Sequence, residues 1–202
     1  MANYASTNTG DEIQAKLDYV NIDSSDQLYK SIFIMNDDLS YGSSGPMSQM
    51  SGYNLVWAYT INDDSLITEV LPADVDVASD IEVYIYWGIN EAYATNSGEI
   101  RFTITGYLTA VGEVITAGVD SFSFDTGDID IPATANTIVK TNIDDIPAAD
   151  IDAVRDIIGA QIKRVALNDG NNPSGAEPYI IAIELRYKSK LAGETITWLT
   201  II

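Results

Sequence analysis

From Asp80 to Trp87 every second residue of the first register is aliphatic or indole: Ile81, Val83, Ile85 and Trp87 alternate with Asp80, Glu82, Tyr84 and Tyr86. A period of two sends successive side chains to opposite faces, so this stretch predicts a strand with one buried and one wet face. An amphipathic helix would instead repeat its apolar residues every three or four positions. The pattern returns at Glu99–Thr109, with Ile100, Phe102, Ile104 and Leu108 inward. It returns again at Tyr179–Lys188, where Ile181, Ile183, Leu185 and Tyr187 share a face. Less regular β-rich segments run over Asn54–Ile61, Leu66–Leu71, Val114–Phe124, Ala135–Ile143 and Gln161–Leu167. About eight short strands separated by turn signals predict an all-β fold, an antiparallel two-sheet sandwich of jelly-roll type. The β-rich end, Glu194–Ile202, would add a ninth or exchanged strand.

Two segments break the period. Thr9–Leu17 reads as one or two helical turns, with Thr9 as N-cap and Glu12 at N3. Asp145–Asp156 combines helix formers with early acids and is closed by Gly159, predicting a short helix over Ala149–Ile157. The Gly/Ser-rich run from Ser40 to Gly52 reads as loop or extended arm. The expected organisation is an N-terminal docking arm, 1–51, followed by a sandwich domain, 52–202.

Composition removes most chemistries. The chain has no Cys and no His, which excludes disulfides, thiolate nucleophiles, imidazole bases and His-ligated metals. A catalyst would have to work with carboxylates, Tyr, Lys or Ser. No pair of acids is singled out for glycoside hydrolysis, and Ser43-Ser44 lacks the strand–elbow–helix context of a hydrolase nucleophile. The expectation is therefore a protein that is not an enzyme. Thirty acids against ten bases give a net charge of -20, opposed to binding nucleic acid or an anionic membrane. The opening Met1–Ser6 lacks the cationic and apolar regions of a secretory signal.

Three groups of residues are candidates for binding. Asp125, Asp128 and Asp130 gather three carboxylates in a turn, oxygen ligands of the kind calcium takes, and Asn168–Asn172 is a second oxygen-rich loop. Plain turn chemistry accounts for the same residues. Six of the ten bases fall between Arg155 and Lys190. If the strands near 161 and 179 are neighbours, Lys163, Arg164, Arg186 and Lys188 form a basic stripe facing an acidic copy of the chain. Residues that merely relieve local repulsion would look the same. Tyr84, Tyr86 and Tyr107 fall on the outward phase, where aromatics mark an interface or a sugar-binding surface, or serve β propensity alone. Trp57, Trp87 and Trp198 read as core.

The strand Asp80–Trp87, the following Gly98-Glu99-Ile100-Arg101-Phe102 and the closing Ile183-Glu184-Leu185-Arg186-Tyr187 together resemble a β-sandwich found in virion proteins of tailed bacteriophages. Gln161-Ile162-Lys163-Arg164, followed by Asn168-Asp169-Gly170, is similar to the segment that precedes that closing strand. The resemblance spans about Gly52–Lys190 and brings no catalytic residues. It implies a virion structural protein made in the host cytoplasm, often a homotrimer, with the major capsid protein or other virion subunits as partners. The acidic N-terminal half suits an outer position, so a capsid decoration or cement protein comes first. A tail-fibre, spike or carbohydrate (receptor)-binding module comes second, and a major capsid jelly roll third.

Overall fold

The computed structural model describes residues 28–51, 54–92, 98–114, 120–167, 172–173 and 176–190. The helical turns expected at Thr9–Leu17, the strand at Glu194–Ile202, Trp198 and Asn168–Asn171 lie outside the described residues. The first strands in chain order are β1 (Leu28–Met35), β2 (Ser40–Tyr41), β3 (Met47–Ser51), β4 (Asn54–Ala58), β5 (Asp64–Val70) and β6 (Ile81–Ile89). β7 (Glu99–Ile100), β8 (Phe102–Thr109), β9 (Ser121–Asp125) and β10 (Ile129–Asp130) follow. β11 (Val139–Ile146), β12 (Ile157–Arg164) and β13 (Pro178–Ser189) complete the set.

Two antiparallel sheets result. Sheet I runs β11-β6-β13, and the far edge of β13 is shared by β1 and the β4-β3 hairpin. Sheet II runs β2-β5-β12-β8-β9, while β7 and β10 form a small ribbon beside it. Eight strands carry the frame, and their pairing is nested. The first of them pairs with the last (β1·β13), the second with the seventh (β5·β12), the third with the sixth (β6·β11) and the fourth with the fifth (β8·β9). Nested pairing of this kind is a hairpin ribbon rolled upon itself, the jelly-roll arrangement.

The inner faces are those the alternation marks. Ile81, Val83, Ile85 and Trp87 of sheet I are at most 2% exposed, and they meet Ile67, Ile104, Phe122, Phe124, Ile158 and Ile162 of sheet II. Between the sheets, a cavity of about 10 Å³ lies among Ile67, Val83, Ile104, Ile158 and Ile183. That cavity is too small for a ligand.

Several expectations shift. Residues 28–51, placed by the sequence in an arm, supply β1, β2 and β3; the first strand of the roll therefore precedes Gly52. The helix expected at Ala149–Ile157 is absent. Ala148–Asp150 forms one 3-10 turn, Arg155 is left-handed at φ 71°, and β12 already begins at Ile157. A nine-residue helix has little intrinsic stability, and pairing of Ile157 with both Val70 and Thr109 outweighs it. Among the described residues all helical structure is of the 3-10 kind. Ile181 is the extra residue of a bulge in β13 against β6, so it leaves the buried row that Ile180, Ile183 and Leu185 keep.

Candidate functional site

Cross-strand register decides which side chains meet on the outer face of sheet I. One row reads Phe33, Glu184, Tyr84 and Asn142; the next reads Ser31, Arg186, Glu82 and Asp145; a third reads Met35, Ala182, Tyr86 and Lys140. The Glu184 carboxylate is buried at the centre. It accepts hydrogen bonds from Ser31 Oγ at 2.5 Å and Tyr86 OH at 2.7 Å, and pairs with Lys140 Nζ at 2.7 Å. Burial alone would raise its pKa, but these donors outweigh burial and hold the carboxyl below its ordinary value. The Lys140 ammonium is raised in turn, chiefly by its hydrogen bond to Glu184, and lies 3.9 Å from the Tyr84 ring centroid. Glu82 accepts from Tyr84 OH at 2.6 Å and pairs with Arg186 at 3.1 Å. Arg186 in turn lies over the Tyr29 ring at 4.2 Å.

Beside this network runs an apolar row from β1. Phe33 is 52% exposed, Tyr29 43% and Met35 41%. The register unites Tyr84 and Tyr86, expected with Tyr107, and Arg186 and Lys188, expected with Lys163 and Arg164, and adds Tyr29, Phe33, Lys140 and Glu184. Tyr29 and Phe33 were hidden because β1 sets the polar pair Lys30-Ser31 before the unbroken apolar run Ile32–Met35, which erases the period. Glu184 was hidden because a carboxylate on the wet phase looks like solvated surface until its three donors are seen.

Tyr107 and Lys163 lie on the opposite side of the molecule, on the outer face of sheet II. The basic stripe does not form, because β12 and β13 belong to different sheets. Arg164 is not a surface base at all. It is 1% exposed, donates from Nη1 to the Tyr59 carbonyl at 2.6 Å, and pairs with Glu177. Alternation explains this, since Arg164 shares the parity of Ile158, Ala160 and Ile162.

The outer face of sheet II holds a shallow groove of about 600 Å³, floored by Leu66, Thr68, Thr105, Tyr107, Ser121 and Gln161. The Tyr107 ring lies against Gly159, where an added Cβ would stand 3.2 Å from ring carbon Cζ. The glycine thus lets the ring lie down as a platform among hydroxyl and amide groups. One wall is anchored by Gln161, whose amide donates to Asp64. Asp64 also accepts from the backbone N–H groups of Ser43 at 3.0 Å and Ser44 at 2.6 Å, which pins the Gly/Ser-rich loop to β5. Burial would raise the Asp64 carboxyl, and these hydrogen bonds bring it below its ordinary value.

Of the three carboxylates considered for calcium, Asp125 takes a two-point hydrogen bond from Arg101, at 2.7 Å from Nε and 2.5 Å from Nη2. Asp128 lies 3.7 Å from Nη1 of the same guanidinium, and Asp130 is exposed on β10. Arg101 supplies there the positive charge that an ion would bring.

No family model matches the chain, and no curated protein does. Among solved structures, the chain is similar to the CBM36-1 domain of a multidomain xylanase from the hindgut metagenome of Trinervitermes trinervoides. That match has 12% identity and TM-score 0.41, covering 77% of this chain and 96% of that one. A carbohydrate-binding module CBM36 in complex with calcium and xylotriose aligns at 11% identity and TM-score 0.41, covering 76% and 98% respectively. Infectious bursal disease virus, Gx strain, aligns at 13% identity and TM-score 0.36, covering 83% of this chain and 33% of that one.

Proposed function

We propose that this chain is a non-enzymatic structural subunit of a tailed-phage virion, docking as a homotrimer on the outside of the head and reinforcing the shell. The observation that carries the reading is the outer face of sheet I. Tyr29, Phe33 and Met35 lie exposed beside Tyr84, Tyr86 and Arg186, and tyrosine, phenylalanine, methionine and arginine are the residue types enriched at protein interfaces. They border β1, which among the described residues has a strand partner on one side only. An edge of that kind accepts a strand from a neighbour. The first hundred residues carry 16 acids against two bases, which favours a partner with a basic rim, such as a major capsid protein.

Sedimentation of the purified chain with phage heads lacking it tests the proposal. Saturable binding that Phe33→Lys abolishes supports it; no binding by the folded chain overturns it. Light scattering tests the trimer, which requires a mass near three times 21.9 kDa.

The groove on sheet II favours a second reading, a receptor-binding module for glycans. An aromatic platform ringed by Thr, Ser and Gln is suited to stacking on a sugar ring and bonding its hydroxyls. A glycan array decides this reading: binding lost in Tyr107→Ala supports it, and an array without hits removes it.

A further inference from the structure

We propose, resting on the glycan reading of the sheet II groove, that its ligand is an uncharged oligosaccharide laid across the strands. Gln161 selects that ligand by accepting one sugar hydroxyl. Register builds the floor from two rows that cross β5, β12, β8 and β9. One row is Leu66, Gln161, Thr105 and Ser123. The other is Thr68, Gly159, Tyr107 and Ser121. Neither row contains an Asp, Glu, Lys or Arg, although the whole chain carries 30 acids and ten bases. Charge returns in the adjoining row, where Lys163 lies opposite Asp64 and Thr103 opposite Asp125.

A net charge of -20 repels an anionic ligand, and a floor without cations gives it nothing to pair with. A cationic ligand finds no free carboxylate either, since Asp64 is 1% exposed and already holds Ser43, Ser44 and Gln161. What the floor offers is the Tyr107 ring, a set of hydroxyls and one amide, which suit a ligand of rings and hydroxyls. Four strands spaced about 4.8 Å apart make it about 14 Å wide, room for several sugar rings in a line. Gln161 adds direction to this floor. Its Nε2 donates to Asp64, and an ionised carboxylate can only accept, so the amide cannot turn over. Oε1 is thereby left as the atom for a ligand, and it too can only accept. A site built around such a bond rejects an analogue that has lost the hydroxyl.

A glycan array carrying neutral hexose oligomers of increasing length beside sialylated and uronate-containing glycans tests the class. Calorimetry of the full chain then measures the best neutral binder. Neutral oligomers should bind, more tightly as they lengthen across the floor, and anionic ones should not. Tyr107→Ala should weaken binding about tenfold. Gln161→Met keeps the length of the side chain without its acceptor, and should cost about three- to tenfold. Deoxyfluoro versions of the bound oligomer locate the hydroxyl. One of them should bind the parent as weakly as the unmodified oligomer binds Gln161→Met, and lose nothing further against that variant. An array with no hits removes the glycan reading and this proposal together. Preference for anionic glycans, or neutral binding that Gln161→Met and every fluoro analogue leave unchanged, overturns this proposal alone. A drop in mass by light scattering for Tyr107→Ala, with no glycan bound by the parent, gives the groove to a second copy of the chain and overturns both.

Discussion

Glu184 shows how one residue decides the character of a surface. Its carboxylate collects Ser31, Tyr86 and Lys140 from three different strands, so the outer face of sheet I is cross-linked by ions and hydroxyls. Replacing it with Gln keeps the shape but removes the charge that Lys140 answers, a loss of about 2 kcal/mol. The effect depends on pH. A carboxyl held below its ordinary pKa stabilises the fold fully above about pH 5, and that contribution drains as pH falls through the lowered folded value. Urea melts between about pH 3 and 7 should therefore show a shallower acid limb for Glu184→Gln than for the parent. A limb of unchanged slope would mean that Asp64, Asp74 and Asp125, also held low by their hydrogen bonds, account for acid sensitivity without it. Much at this scale was legible. The phase of Tyr84, Tyr86 and Arg186 follows from counting by twos, and counting two residues on from Ile162 sends Arg164 inside with it. What counting cannot supply is a partner, because Lys140 and Glu184 are adjacent only through the register of β11, β6 and β13.

At the scale of elements, the strands with one wet face were readable, and those whose burial is irregular were not. β6 and β8 keep their period from end to end, apart from small glycine-centred departures. β1 does not, so the sequence assigned it to an arm, and its place beside β13 emerges only from pairing. The helix expected near residue 150 failed for the opposite reason: its local signal is genuine, but sheet pairing begins at Ile157 and claims the chain first. This has a practical consequence. All eight residues of β1 pair with β13, and the described strand pairings begin at Leu28. Deleting residues 1–27 spares β1 and gives the reference melt for a longer truncation. Deleting 1–35 withdraws Ile32 and Ile34 from the core, at about 2 kcal/mol each, and opens the edge of β13. Losses of that size approach the low end of a domain's stability, about 5 kcal/mol, so the longer deletion should melt far lower or aggregate. If both truncations melt alike, β1 is dispensable and the roll has one strand fewer than its pairing indicates.

For the whole molecule the dominant quantity is charge. A net charge of -20 makes the folded chain repel itself, and salt screens that repulsion. Raising sodium chloride from about 10 to 200 mM should raise the melting temperature by several degrees. A fall would mean that the ion pairs around Lys140, Arg101 and Arg186 outweigh the general repulsion. The two-sheet architecture was legible from strand count and turn spacing, whereas the nesting of the pairs was not, because no local pattern records which strand meets which.

That nesting also constrains how the protein is made. β13 is the last described strand, yet it lies between β1 and β6 in sheet I. A nascent chain still attached to the ribosome thus holds an incomplete sheet until Ser189 has emerged, and β1 must wait through the synthesis of more than 140 further residues for its neighbour. Closure between such distant segments is slow, and apolar edges stay open meanwhile. Chains arrested after β12 should be digested by protease as readily as unfolded protein, with protection arriving only once β13 has cleared the tunnel. Protection at the earlier arrest point would mean that sheet II, with β1 and β6 docked on it, folds without its last strand.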